Sequence, residues 1–302
     1  MHPEGKVSGK GYAEYDAVHD RLAIACKGNE GDRDVKTQTQ MRAALAALVM
    51  LPWFLMGCGQ KADVADSSAS EPPVVLVIGA TGATGPTILA ALGDDYRIRA
   101  LVRDMDRARA KLPANVTLFV GDVRQPETLT PAFEGAQFVV SAVGARFVGQ
   151  GELADTMNTT EMVDYEGVKN LAGAARTAGV KHFVLISAMG VTNPEHSLNR
   201  FDNIMQWKLK GENALRASGV PYTIVRPGGL GDEPGGTLGT LVTQGDNHGM
   251  GQSNRIDVAR ICVRALTDPA ARNVTIEVVK DASQPVVPPD GDVFSGMKAD
   301  VP

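Results

Sequence analysis

Short unbroken apolar runs alternate with longer amphipathic stretches through most of the chain beyond Pro73. The runs are Val74–Gly79, Arg97–Val102, Val116–Val120, Gln137–Val143, His182–Ser187 and Tyr222–Arg226. Each is rich in Val, Ile or Phe and lacks the apolar–polar alternation of a half-solvated strand, as expected of strands covered on both faces. Between and after them, Met162–Ala178, Phe201–Ala217 and Asp257–Leu266 carry a helical period. Strand alternating with helix implies right-handed crossovers, and so an α/β, Rossmann-type doubly wound parallel sheet. A last strand over Thr275–Val279 is expected at the sheet edge, and the short remainder after the sixth run is read as a small C-terminal substrate lobe.

The pattern changes before Pro73. Residues 1–40 are polar and aperiodic, read as disordered or as lying upstream of the true start. Met41–Arg42 then precede an apolar run that ends at Cys58. A positive residue, a short apolar run and a small residue before cysteine make a signal peptide over 41–57, too short for a span of ~20 residues. Leu55-Met56-Gly57-Cys58 resembles the lipobox of bacterial lipoproteins, which implies translation from Met41, lipidation at Cys58 and membrane attachment at the cell envelope. The alternative is an uncleaved hydrophobic segment, with the domain in the cytoplasm. Residues 58–72 read as a polar linker, 73–281 as the folded domain, and the proline-bearing tail 282–302 as flexible.

The first strand runs directly into Gly79-Ala80-Thr81-Gly82-Ala83-Thr84-Gly85-Pro86 and then a helical pattern. Glycine serves where backbone turns sharply and approaches a pyrophosphate, and a third glycine lets the helix pack on the strand. The helix N-terminus offers free N–H groups and the positive end of its dipole, and proline is tolerated in its first turn. A glycine pattern that ends a strand, opens a helix and begins a series of βα units is a strong dinucleotide signal.

Composition narrows the chemistry. The chain has 302 residues and a formal net charge of -5, which argues against a nucleic-acid backbone as partner. Cys26, Cys58 and Cys262 make neither a disulfide scaffold nor a metal motif, and the five histidines are scattered. Cys262, within VARICVRAL, reads as a small buried apolar residue, and His182, opening a strand, as structural.

GATGATG, LVRD, GDV, VDYEGVKNL, FVLISAMG, NRIDVA and above all WKLKGENALRASGVPYTIVRPGGL together resemble the atypical short-chain dehydrogenases/reductases, in their NAD(P)-binding, NmrA-like branch. The resemblance spans residues 73 to 280. It implies that Gly79, Gly82 and Gly85 line the pyrophosphate, with Thr81, Ala83 and Thr84 supplying amides. It places Asp122 and Val123 at the adenine, Ala142, Val143 and Gly144 under the ribose, and Pro227 and Gly228, with Gly229, beside the nicotinamide. Arg103 closes the second strand where NAD-specific folds carry an acid. Its planar fork suits a 2′-phosphate, so NADP is favoured over NAD, with the adjacent Asp104 keeping NAD open.

The same resemblance implies a serine, a tyrosine and a lysine for proton transfer. Ser187 and Lys208 match, but Ile204 stands four residues before the lysine, where tyrosine belongs. A literal Tyr165-x-x-x-Lys169 precedes the fifth strand and reads as a decoy. Arg255 and Asp257 suit helix capping and domain closure, and His248 a weak substrate contact. Two readings follow: an NADP-dependent oxidoreductase on a small organic substrate, using Ser187 and Lys208, or a dinucleotide-binding sensor or assembly scaffold without turnover. Export would favour the second, because free NADP is scarce outside the cytoplasm. Neither the substrate nor the oligomeric state has a signature in the chain.

Overall fold

Valine and isoleucine fill the first apolar run, and it forms strand β1 (Val74–Ile78), buried at every position. In the computed structural model, which describes residues 71–148, 152–153, 158–233, 239–246, 251–284 and 291–301, β1 leads into helix α1 (Gly85–Leu92). Then follow β2 (Arg97–Val102), α2 (Met105–Arg109), β3 (Thr117–Val120), α3 (Thr130–Phe133), β4 (Phe138–Ser141) and a small hairpin, β5 (Phe147–Val148) with β6 (Glu152–Leu153). A π-helical segment, Glu161–Gly167, opens into α4 (Val168–Ala178), followed by β7 (His182–Ile186), α5 (Ile204–Ala217), β8 (Tyr222–Pro227) and β9 (Gly229–Gly231). The rest is β10 (Thr240–Thr243), β11 (Gln252–Asn254), α6 (Arg255–Ala265) and β12 (Val274–Lys280). The expected signal segment and Cys58 lie outside the described residues.

The main sheet has eight strands in the order β10-β12-β8-β7-β4-β1-β2-β3. Its strands are parallel except β10, which runs antiparallel to β12. Connectivity reverses between β1 and β4, and in such open sheets ligands bind beyond the carboxyl ends of the strands at that reversal. Alternate β1 residues feed opposite faces. Val75 and Val77 join Ile88, Leu92, Val258 and Ile261 beneath α1 and α6. Val74, Leu76 and Ile78 join Phe133, Leu171 and Leu215 beneath α3, α4 and α5. Two covered faces explain why the strands read as continuous apolar runs.

His182 and Cys262 belong to this core. His182 Nε2 meets Thr223 Oγ1 at 2.8 Å, and burial, with the nearby Arg272 charge, pulls the imidazole down to about 4. Cys262 is fully buried and burial pushes its thiol up.

Three expectations need correction. The strand expected at the edge, β12, lies inside the sheet, because β10 pairs beyond it through Thr240↔Lys280 to Thr243↔Glu277. The helix expected from Phe201 begins at Ile204, since Asp202 and Asn203 take positive φ of 52° and 53°. Asp202 there accepts from the Thr160 amide at 2.9 Å and its hydroxyl at 2.8 Å. The tail expected to be flexible is anchored over 291–301. Phe294 is fully buried in the α1–α6 core, and the Asp300 carboxylate accepts from Thr275 Oγ1, Tyr222 Oη and Arg216 Nε at 2.6, 2.9 and 3.1 Å.

The cost of losing that anchor is set by the cavity a large buried ring leaves. Phe294→Ala should lower unfolding stability by about 3–5 kcal/mol, measured by urea denaturation. A loss below about 1 kcal/mol would mean that the tail merely rests on the core.

Candidate dinucleotide site

The turn after β1 is shaped by what it cannot accommodate. Gly79 has φ +84°, and a Cβ on it would stand 2.7 Å from the carbonyl oxygen of Ala142 at the end of β4. The left-handed backbone is open to glycine at little cost, and here the space forbids anything larger as well. Gly82 closes the turn by donating its amide to Gly79 O at 2.9 Å. A Cβ on Gly85 would be only 2.1 Å from Ala80 O, so this residue lets α1 start directly against the strand. Pro86 occupies the first helical turn.

These glycines open a cleft of about 1350 Å³ along the carboxyl ends of the strands. The turn contributes Gly79, Thr81, Gly82, Ala83 and Thr84; Arg103, Asp122 and Val123 form one end; Ala142, Val143 and Gly144 form the floor; and Ser187, Lys208, Pro227 and Gly228 form the other end. Gly85 lies behind this surface rather than on it. Leu230, in the expected substrate lobe, also lines the cleft, as do Asn158, Arg107, Arg146 and Arg255, which were not expected there.

At the β2 end, Arg103 Nη1 donates to Asn158 Oδ1 at 3.0 Å. Asp104 accepts from the Arg107 amide at 3.0 Å and so caps α2. Asp122 is gripped by Arg124 at 2.6 Å, and the hydrogen bonds from that guanidinium hold its carboxyl below the usual range.

At the opposite end, β7 delivers Ser187, whose amide is fixed on Val225 O at 2.8 Å. Its Oγ is buried without a hydrogen-bond partner among the described residues. Lys208 Nζ donates to Asp164 Oδ1 at 2.7 Å, and Asp164 Oδ2 accepts from the Ala145 amide at 3.0 Å. The carboxylate thus ties α5 to the loop under the cleft floor. Gly211 lets the two segments touch, since a Cβ there would fall 2.2 Å from Asp164 O.

A family model described as NAD(P)H-binding matches residues 79–269. The chain belongs to this family. Sanguinarine reductase of Eschscholzia californica is 34% identical over 70% of this chain and 90% of its own length. An uncharacterized chloroplastic protein of Arabidopsis thaliana is 37% identical over 67% of this chain and 68% of its own. Among solved structures, a putative NAD-dependent epimerase/dehydratase from Bacillus halodurans superposes with TM-score 0.61 at 24% identity, over 71% of this chain and 96% of that one. A short-chain dehydrogenase/reductase from Veillonella parvula in complex with NADP superposes with TM-score 0.55 at 20% identity, over 72% and 98%. Both show the shared Rossmann-type fold. The family's dinucleotide fits these residues: the turn that lines the cleft carries glycine where a Cβ would strike the backbone of Ala142 or Ala80, and it meets a helix N-terminus.

The tyrosine that the resemblance implies has no counterpart on the cleft wall, where none of the described lining residues is a tyrosine. Tyr165 instead stacks on Trp207 at 6.0 Å between ring centroids, with Lys169 and Lys210 over its ring. His248 lies outside the described residues. Among those described, no helix is long and apolar enough to cross a membrane, and no cluster of His, Cys, Asp or Glu could hold a metal.

Sequence reasoning passed over Asp164, although it sits within VDYEGVKNL, because a single acid beside a tyrosine carries no spacing signal. It also passed over a buried network centred on Arg226. This guanidinium holds Glu212 at 2.6 and 3.0 Å and reaches Glu277 at 3.4 Å and Asp246 at 3.9 Å. Asp246 accepts from the amides of Gly190 and Thr192. Despite burial, the bonds from Thr192 and Gly190 hold its carboxyl below the usual range, while burial pushes Glu277 up. The network joins the loops after β7 and β10 to the strand that carries Pro227 and Gly228 into the cleft.

Removing one member of a buried ion pair costs more than removing both. Lys208→Ala should destabilise the fold by about 3–5 kcal/mol through the stranded Asp164 carboxylate. Lys208→Met with Asp164→Asn should recover most of that loss in urea denaturation. Equal stabilities for the single and double variants would deny the pair its structural part.

Proposed function

We propose that this chain is an NADP-dependent oxidoreductase that moves hydride between the nicotinamide and a small organic substrate seated beside Ser187. The observation that carries the reading is the meeting, in one cleft, of a glycine cradle with a buried hydroxyl that has no hydrogen-bond partner among the described residues. The dinucleotide supplies the hydride when bound. Ser187 Oγ is free to hydrogen-bond the reducible group of the substrate, and the ordered loops after β7 and β8 position it. Lys208, fixed by Asp164, serves by position and charge rather than by activating a tyrosine. Gly79, Thr81, Gly82, Ala83 and Thr84 hold the pyrophosphate, with Gly85 behind them letting α1 start against the strand; Asp122 and Val123 border the adenine, Ala142, Val143 and Gly144 underlie the ribose, and Pro227 and Gly228 flank the nicotinamide.

NADP rather than NAD is favoured by what the charged groups after β2 are doing. Arg103 and Arg107 line the cleft, and their guanidinium forks suit a 2′-phosphate. Asp104, the residue otherwise available for a ribose hydroxyl, is engaged in capping α2. The reductase among the relatives supports hydride transfer over a role without turnover.

Fluorescence titration should show NADPH binding at least tenfold tighter than NADH, with Arg103→Ala removing most of the difference. Steady-state assays with quinones, aldehydes and ketones should show turnover that falls about a hundredfold in Ser187→Ala, the scale of one lost transition-state hydrogen bond. Cofactor binding without turnover of any of these would replace the enzyme with a sensor or scaffold.

We also infer that the domain is tethered at the cell envelope through Cys58, a reading supported by Arg42, the apolar run and Leu55-Met56-Gly57-Cys58. Globomycin should accumulate a slower-migrating precursor in bacterial cells expressing the chain. Unchanged mobility, with the protein in the cytosol, would favour the untethered alternative.

A further inference from the structure

The charge on the cleft wall is opposite to that of the chain. Six cationic side chains and two carboxylates line the cleft, in a protein of formal net charge -5. Both carboxylates are occupied, Asp104 by the α2 amide and Asp122 by Arg124. Three of the cations, Arg103, Arg107 and Lys111, follow β2 or belong to α2 and the turn after it, where a 2′-phosphate would lie. The pyrophosphate has the amides of the glycine turn. Of the other three, Lys208 is held by Asp164, which leaves Arg146 and Arg255 beyond what a dinucleotide requires.

Arg255 is the most constrained of these. It is the first residue of α6, directly after β11, which pairs with β9 through Asn254↔Gly231. That pairing sets it on the wall formed by Leu230, Pro227 and Gly228. Its side chain is 15% exposed, and its Nε is buried with no hydrogen-bond partner among the described residues. A guanidinium edge with an unsatisfied donor costs free energy unless something completes it. Its Nη1 end is held by Asp232, whose side chain is 83% exposed. An exposed carboxylate gains little from such a contact, so Asp232 is easily exchanged for another oxyanion.

We propose that Arg255 anchors an oxyanion entering the cleft, with Asp232 occupying its place until that anion arrives. Resting on the oxidoreductase reading, this names the substrate class as small molecules that carry a carboxylate as well as the reducible group. A phosphate of the dinucleotide offers the same chemistry, and the test separates the two sources.

The full chain and its Arg255→Ala, Arg255→Lys and Asp232→Asn variants are titrated first with NADPH, then, as NADPH complexes, with 4-formylbenzoate and with benzaldehyde. Nicotinamide fluorescence reads binding and absorbance reads turnover. The wild-type complex should bind the carboxylated probe about tenfold tighter than the neutral one, the size expected of one charge-assisted contact. Arg255→Ala should abolish that preference, Arg255→Lys should restore part of it, and Asp232→Asn should increase it. If Arg255→Ala instead weakens NADPH about tenfold and no probe preference exists, the oxyanion is the cofactor's phosphate. If none of these affinities moves in Arg255→Ala while Asp232→Asn also has no effect, the proposal is overturned. A preference in binding with no reduction of either aldehyde would leave the anion site standing and count against the oxidoreductase reading alone.

Discussion

The close approach of three backbone segments, at the ends of β1 and β4 and at the start of α1, is the constraint on which the site depends. Gly79 admits the β4 carbonyl of Ala142, and Gly85 admits the carbonyl of Ala80. A side chain at either position would force a helix or a strand away, because neither neighbour is a flexible side chain that could yield. With the elements packed this closely, the turn itself lines the cleft through Gly79, Thr81 and Gly82. Packing and binding are thus two consequences of one steric fact. The direction of α1 then follows, and its N-terminus cannot face anywhere but the cleft.

Around that rigid turn, the polar interior fixes the loops. The Asp164 carboxylate joins α5 to the floor loop, and the Arg226 guanidinium joins β8 to β12 and to the loops after β7 and β10. Buried ion pairs are poor sources of net stability, since desolvation cancels most of the attraction. Their use here is geometric. Each connects a loop that would otherwise be free to a strand that cannot move, so Ser187, Pro227 and Gly228 project from a braced rim. The π-helical winding of Glu161–Gly167 belongs to the same arrangement, because it contains Asp164 and lies where Gly211 allows α5 to touch it.

Strands with both faces covered were readable as apolar runs, and the glycine turn as a phosphate cradle, because each requirement acts locally on residue type. Arg103 and Ser187, at strand ends, and Lys208, within α5, were singled out through resemblance, and all three line the cleft. The structure departs from sequence reasoning where partners are distant in the chain. Strand β10 has only four residues and no strong pattern, and it exists because β12 offers it an edge. The tail looked unstructured by its prolines, yet one phenylalanine and one aspartate find partners in α1, α6, β8 and β12. Asp164 was hidden because the 44-residue separation from Lys208 leaves no periodic trace. The misplaced start of α5 has a local cause, the left-handed pair Asp202–Asn203, of a kind that a helical period overlooks.

The missing tyrosine changes what the rest of the site must accomplish. A reductase with that residue can donate a proton as hydride arrives, and so tolerates substrates whose developing negative charge has no other outlet. Here the stationary groups are a lone hydroxyl, an ammonium already in contact with a carboxylate, and arginines placed along the wall. Such an arrangement stabilises charge by fixed dipoles and cations, the preorganised form of electrostatic assistance. It also acts at a distance. A cleft where six cations outnumber two engaged carboxylates, within a chain of net negative charge, focuses a positive field on its mouth and draws anions inward. On the proposed reading the positive wall steadies the charge that hydride transfer develops, the balancing proton comes from water, and the substrates that profit most are those already carrying negative charge when they enter.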